Sequence, residues 1–238
     1  MTSDGRQVSH RVIITIDGPA GSGKSTVAHR LAERLGLEFL DTGAMYRAAA
    51  VLAIERGIEP DDGPALAEAV RKAGLQFDWS ADPPRLLMEG RDVSRRIRDM
   101  DVSSIVSIVA AQAEVRAELV RAQRRLGDEH PRLVTEGRDQ GSIVFPDAPL
   151  RFFLVADAAV RARRRIAQLA ELGMHVDEAQ VIDDIRERDR IDSTRADGPL
   201  TRPEGAVEID TSDLSIEQVV DRLESIAREE LAKAEFKA

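Results

Sequence analysis

Gly18-Pro19-Ala20-Gly21-Ser22-Gly23-Lys24-Ser25 is the stretch of this chain whose residue types and spacing specify the most chemistry. It fits G-x-x-x-x-G-K-S, where the glycines let backbone N–H groups turn inward around phosphate oxygens. A helix starting at Ser25 adds its positive N-terminal end to the same pocket. Lys24 supplies a mobile cation for the β- and γ-phosphates, the Ser25 hydroxyl is placed to ligate Mg²⁺, and Thr26 completes the ATP-binding stretch. The preceding Val12-Ile13-Ile14-Thr15-Ile16 is a β-branched strand, the context that this loop requires. Nucleotide binding follows; the reaction does not, because hydrolases and small-molecule kinases share the loop.

The arginines narrow the reaction. Hydrolytic proteins with this loop need a water-positioning group and usually a strand-borne acid. The sequence offers no apolar strand ending in an Asp-Glu pair and no Asn-Lys-x-Asp base-reading segment. It offers Arg47, Arg138, Arg188 and Arg195, read as arginines at turns after strands. A phosphate acceptor carries ~1.5–2 negative charges at neutral pH and is already a nucleophile. It needs no general base, but holding two repelling phosphates in line takes several cations. Arg161, Arg164 and Arg165 share a helix face, and Arg188, Asp192 and Arg195 have similar spacing. Helical segments 158–172 and 177–191, joined through Gly173, read as a hinged lid over ATP. The alternative is a pair of salt-bridged surface helices.

The elements that must position these groups alternate along the chain. Helix 25–35 follows the loop, 37–40 is a second short strand, helix 44–56 stops at Gly57, and helix 64–73 starts on a proline. Residues 75–79, 85–89 and 91–93 read as a small antiparallel insert. One long helix is expected over 101–126, ending at Gly127, followed by strands at 133–135 and 150–155. A last strand at 206–209 and a helix at 215–232 close the chain. The fold class is α/β, a parallel sheet flanked by helices, with an antiparallel β insert and a helical lid. The expected organisation is a polar tail over 1–10 and one domain over 11–238. Its core spans 11–40, 101–157 and 196–238, its acceptor region 41–100 and its lid 158–195.

Bulk properties exclude other classes. The 238 residues contain no cysteine, which removes disulfide and thiolate chemistry. A net charge of −9 argues against a broad nucleic-acid surface. No run approaches the ~18 apolar residues of a membrane span, and Met1–His10 lacks the apolar core of a signal peptide. A cytoplasmic protein is expected. His10, His29, His130 and His175 show no metal spacing, and Trp79 reads as core filler in the insert.

Four segments also resemble the bacterial cytidylate (CMP) kinases, within the nucleoside monophosphate kinases. They are Ile16–Ser25, Leu40–Arg47 (Leu-Asp-Thr-Gly-Ala-Met-Tyr-Arg), Glu136–Ala148 (beginning Glu-Gly-Arg-Asp-Gln-Gly) and Arg186–Arg195. The resemblance runs in order from Val12 to about Leu231 and takes in the insert, with Glu89-Gly90-Arg91-Asp92-Val93-Ser94. It implies phosphorylation of CMP and dCMP by Mg²⁺-ATP in a monomer. Thr42, Tyr46 and Arg47 would grip the acceptor, Arg47 on its phosphate; Ser107, Arg116 and Asp139 would read cytosine; Arg138 would meet the phosphate, with Gly137 among the substrate-binding positions. Arg188 and Asp192 would meet the ribose, Arg195 the transferring phosphates, and Arg161 and Arg165 ATP. Glu136 stands where many relatives carry Asp and would reach Mg²⁺ through water; Thr42 stands for the family serine. The rivals are a small kinase acting on UMP, AMP or shikimate, and a nucleotide-binding regulator without turnover.

Overall fold

The computed structural model describes residues 11–171, 173 and 176–235. The expected polar tail, with His10, and His175 lie outside the described residues. Five strands, β1 (Val12–Asp17), β2 (Glu38–Asp41), β6 (Arg132–Gly137), β7 (Leu150–Val155) and β8 (Val207–Asp210), form a parallel sheet in the order β2-β6-β1-β7-β8. Their near-continuous apolar runs follow from burial on both faces. Ile14, Ile16, Phe152 and Leu154 pack against α1 (Lys24–Leu35) and α8 (Ile216–Glu235). On the other face Ile13, Leu40 and Leu133 meet Val120, Val144 and Phe145.

Register decides where the chemistry can sit. Asp17 lies beside Gly137 and Phe153, and Asp41 beside Glu136. The carboxyl ends of β1, β2 and β6 therefore open on one edge, the usual place for a ligand in such a sheet. Helices α2 (Thr42–Arg56) and α3 (Gly63–Ala73) follow β2, each ending on a left-handed glycine. Strands β3 (Gln76–Asp78), β4 (Arg85–Met88) and β5 (Arg91–Asp92) then form the antiparallel insert. Trp79, half-buried, stacks on His130 at 4.1 Å between ring centroids and seals the insert onto the main body, the filling role expected of it.

The expected helix over 101–126 is two helices, α4 (Met100–Ala111) and α5 (Ala113–Glu129). Gln112 between them is extended, with φ −74° and ψ 120°. The break lets α4 pack on α2 while α5 packs on α3. Gly127 does not stop the helix. It lies within α5, where an added Cβ would meet Phe145 Cε1 at 2.6 Å, so its task is close packing. Helices α6 (Ala158–Glu171) and α7 (Glu178–Thr194) form the expected pair, α7 running past 191. Only one of the four arginines read as post-strand turns is so placed: Arg138 follows β6, whereas Arg47 lies in α2, Arg188 in α7 and Arg195 at the end of α7.

Candidate active site

The phosphate-loop half is built almost entirely from backbone. Gly18–Gly23 turns from β1 into α1, and Lys24 opens the helix with only 4% of its surface exposed. Its Nζ donates to the Pro19 carbonyl at 2.8 Å and lies 3.4 Å from Ser22 Oγ. Burial, helped by the Arg138 charge, brings its pKa down to about 7. The loop is strapped from outside by Arg161, whose guanidinium donates to the Ala20 carbonyl at 3.0 Å and pairs with Asp189 at 2.6 Å. The paired Arg161 thus joins α6, α7 and the loop.

Ser25 Oγ donates to Glu136 Oε1 at 2.8 Å. The extra methylene of Glu136 therefore does not keep it from the loop. A strand-borne acid is present after all: Glu136 is the penultimate residue of the apolar β6, next to β1. Asp41 ends β2 alongside it, and burial followed by the charge of Glu136 raises its pKa. Two carboxylates and a hydroxyl are an oxygen-only donor set, which suits a hard divalent cation such as Mg²⁺.

Next to this lies an open cleft. Thr42, Tyr46 and Arg47 enter it from α2, Ser107 from α4, Gly137, Arg138 and Asp139 from the end of β6, and Arg188, Asp192 and Arg195 from α7. Thr42 Oγ1 donates to the Glu136 carbonyl at 2.7 Å, tying α2 to β6. Arg47 donates to Ser103 Oγ at 2.9 Å, and Arg138 Nε to Asp192 Oδ2 at 2.8 Å. Arg195 lies 3.8 Å from the same aspartate. Burial pushes Asp192 upward, but Arg138 and Arg188 outweigh it and hold its pKa below the usual carboxylate range. Arg188 is under the opposite pressure: burial, then the Arg138 charge, lowers its pKa to about 10. Its buried Nε has no hydrogen-bond partner among the described residues. An anionic ligand would supply what this cluster lacks.

Arg116 lies behind the cleft, where its Nη2 is ion-paired with Asp139 and its Nη1 donates to the Tyr46 hydroxyl at 3.3 Å. Burial followed by the Asp139 charge raises the Tyr46 pKa to about 12, so the phenol stays protonated. A buried guanidinium and carboxylate side by side can recognise a ring presenting an acceptor beside an amino donor. Three lining residues escaped the sequence reading: Gly43, Val106 and Ala110. The i, i+4 spacing of Val106 and Ala110 was a usable signal for an apolar wall. Gly198 also escaped it. Gly198 has φ +57°, and a Cβ there would strike Arg116 and Asp139, so the turn after α7 closes over the Arg116–Asp139 pair. Arg195 Nε holds that turn by donating to the Gly198 carbonyl at 2.7 Å.

Arg165 is half-buried, and burial lowers its pKa. Its charge reaches both Arg47 and Arg188. Elsewhere, metal-capable atoms of His29, Glu33 and Asp82 lie within 4.8 Å of one another, a grouping the histidine spacing did not suggest. His29 Nε2 is taken by Asp82 Oδ1 at 2.5 Å, and none of these residues lines the cleft.

Comparison with known proteins converges on one group. The sequence profile of the cytidylate kinases matches residues 14–229. A cytidylate kinase from Caldanaerobacter subterraneus subsp. tengcongensis is 46% identical over 212 residues, covering 89% of this chain and 92% of that protein. One from Mycolicibacterium paratuberculosis is 42% identical over 222 residues, covering 93% and 97%. A bifunctional pantoate ligase/cytidylate kinase from Synechococcus elongatus is 49% identical over 224 residues, covering 92% of this chain and 42% of that protein. The chain thus spans less than half the length of that bifunctional relative. Among solved structures, a gluconokinase from Sinorhizobium meliloti superposes with a TM-score of 0.52 at 15% identity, covering 96% of this chain and 98% of that one. A shikimate kinase from Bacteroides thetaiotaomicron gives 0.50 at 16%, covering 91% and 98%. These two share the fold.

Proposed function

The chain belongs to the cytidylate kinase family, and from that premise we propose that it transfers the γ-phosphoryl group of ATP to CMP and dCMP, forming CDP and dCDP. The observation that carries the proposal is the phosphate loop lying next to a cleft whose Arg188 Nε has no partner among the described residues and whose Asp139 is ion-paired with Arg116 behind it. The acceptor phosphate is the nucleophile. Arg47 and Arg138 hold it against the charge of ATP, Arg188 and Asp192 hold the ribose beside it, and Lys24 follows the group in flight. No side chain has to remove a proton. Arg116 and Asp139 meet the acceptor edge and the amino group of cytosine. Ser25 and Glu136 would hold Mg²⁺, which when bound draws charge off the β- and γ-phosphate oxygens.

The proposed lid, 158–195, includes α6 and α7, which share a small apolar cluster of Ala162, Val181 and Ile185 separate from the main cores. That independence lets the pair close as a unit and exclude water. The proposed core (11–40, 101–157, 196–238) and acceptor region (41–100) supply the rest. A monomer is part of the same proposal and rests on the family resemblance alone. No helix of the described residues is long and apolar enough to cross a membrane, and a protein acting on free nucleotides works in the cytoplasm. Lys24, Arg138, Arg188 and Arg195 are all present, which favours turnover over mere binding.

The test is an ADP-release assay across CMP, dCMP, UMP, AMP and shikimate. CMP and dCMP should give the highest kcat/KM. Preference for another acceptor would replace the proposal, and ATP binding without turnover on any acceptor would favour the regulator.

A further inference from the structure

Asp17 ends the central strand, immediately before the phosphate loop, and is fully buried. It does not line the cleft, and the chemistry above gives it no task. An isolated carboxylate in such a place is costly. Its two oxygens are nevertheless used in a specific way: Oδ1 accepts the Gln140 N–H at 2.8 Å and Oδ2 the Gly141 N–H at 2.7 Å. These N–H groups open the π-helical turn Gln140–Val144, and the first donors of such a turn have no partner inside it. The turn starts from the Asp139 carbonyl, which accepts from Ile143 at 2.9 Å and Val144 at 3.2 Å. Arg138 and Asp139, the proposed phosphate-binding and base-reading residues, thus lie directly upstream of the clamped amides.

The surrounding contacts leave the turn little freedom. The Gln140 side chain is held between Thr135 Oγ1 and Gln123 Oε1, both at 3.0 Å. Gly141 lies so close to β1 that an added Cβ would meet Thr15 Oγ1 at 2.7 Å. Burial raises the Asp17 pKa to about 7, and the Gly141 and Gln140 N–H groups, which favour the ion, keep it from going higher. Asp139 and Lys24 are the charged groups that bear on it, one from each side of the reaction.

We infer that Asp17 is a positioning residue that fixes the acceptor-binding turn in register with the phosphate loop. The inference rests on the CMP kinase reading for its consequences, though not for its geometry. One side chain at the end of β1 sets the distance between the ATP site and the groups that hold CMP. Misplacement by about 1 Å costs an in-line reaction ~100-fold.

Asp17→Asn tests this with almost no change in shape. An amide has one acceptor oxygen, and its NH₂ would face an N–H, so one bond is lost and two donors are opposed. Expected are a drop in kcat/KM for CMP of ~10–100-fold and a reduced preference for CMP over UMP. Affinity for a non-hydrolysable ATP analogue should stay unchanged. The Gln140 and Gly141 amides should exchange faster, while Val134 in β6 stays protected. An unchanged CMP/UMP ratio with unchanged exchange at 140 and 141 overturns the inference. So does an equal loss of ATP-analogue and CMP affinity, which would make Asp17 part of the general fold. Amide exchange needs no turnover, so it can fail or succeed independently of whether the wild type phosphorylates CMP. A second measurement needs no variant: in the nucleotide-free wild type the Gln140 and Gly141 amides should be strongly protected, and fast exchange there refutes the clamp.

Discussion

The two halves of the site handle negative charge by different means. The phosphate loop uses backbone N–H groups, one helix end and one lysine, all within eight consecutive residues. The acceptor half uses side chains from α2, α4, β6 and α7, arranged as ion pairs around a few cations held short of partners. A backbone cradle needs only local geometry. A side-chain cluster needs the whole fold to oppose its self-repulsion, and its buried aspartates show where that opposition is applied. Arg138 and Arg195 flank Asp192, while Arg116 faces Asp139. Arg188, with its buried Nε unbonded among the described residues, is short of a partner, so the acceptor half stores a cost that its ligand relieves.

Removing the loop's single cation should have the largest effect. Lys24→Ala should lower turnover at least ~100-fold, because that charge acts on the group being transferred. Thermal melting should stay close to wild type, since Lys24 bonds only to its own loop. Near-normal turnover in the folded variant would mean that backbone alone carries the donor half.

The acceptor half should separate activity from stability. Arg188→Ala should cost kcat/KM for CMP ~10²-fold while leaving melting unchanged or raised, because the charge removed has an unpaired, buried Nε. Arg138→Ala should lose activity and also ~2 kcal/mol of stability, since it leaves Asp192 without its closest charged hydrogen bond. If both variants melt alike, Arg188 is as well paired as Arg138 and the contrast between the two residues fails.

The same division explains what could be read in advance. The phosphate loop, the parallel sheet, the β insert and the α6–α7 pair were legible, because each depends on neighbouring residues or short periodicities. The break at Gln112 was not. No glycine or proline marks it, and it exists because α4 and α5 pack on different partners. Gly127 was misread as a stop because a packing glycine and a capping glycine look alike until Phe145 is seen against it. Glu136 was visible as a departure from the commoner Asp, but its bond to Ser25 depends on strand order. The site arginines carried a family signature, yet which of them are paired with carboxylates depends on helices far apart in the chain.

Asp139→Asn sharpens the comparison from the base side. It keeps the shape but removes the charge facing Arg116 and adds a donor where cytosine presents its own. Discrimination between CMP and UMP should fall by on the order of 1–3 kcal/mol, read as the ratio of kcat/KM values. Equal losses on both substrates would show that Asp139 holds Arg116 in place without reading the base.

The smallest expected effect returns to the phosphate loop. With a pKa near 7 in the empty protein, Lys24 is largely neutral at pH 8, whereas the same side chain in an unfolded chain would stay charged up to about 10.5. Bound phosphates favour the charged form and raise that pKa again. ATP binding should therefore take up a proton at pH 8, and progressively less as the pH falls through 7, where Lys24 is already charged. Affinity should weaken as pH rises above 7, by at most ~tenfold per unit for one linked proton. Calorimetry with a non-hydrolysable ATP analogue at pH 8, in buffers of different ionisation heat, measures the uptake directly. The wild type should absorb a fraction of one proton and Lys24→Ala none. No uptake in the wild type would mean that Lys24 is already charged in the empty loop, and that the donor half, unlike Arg188 across the cleft, holds its cation without strain.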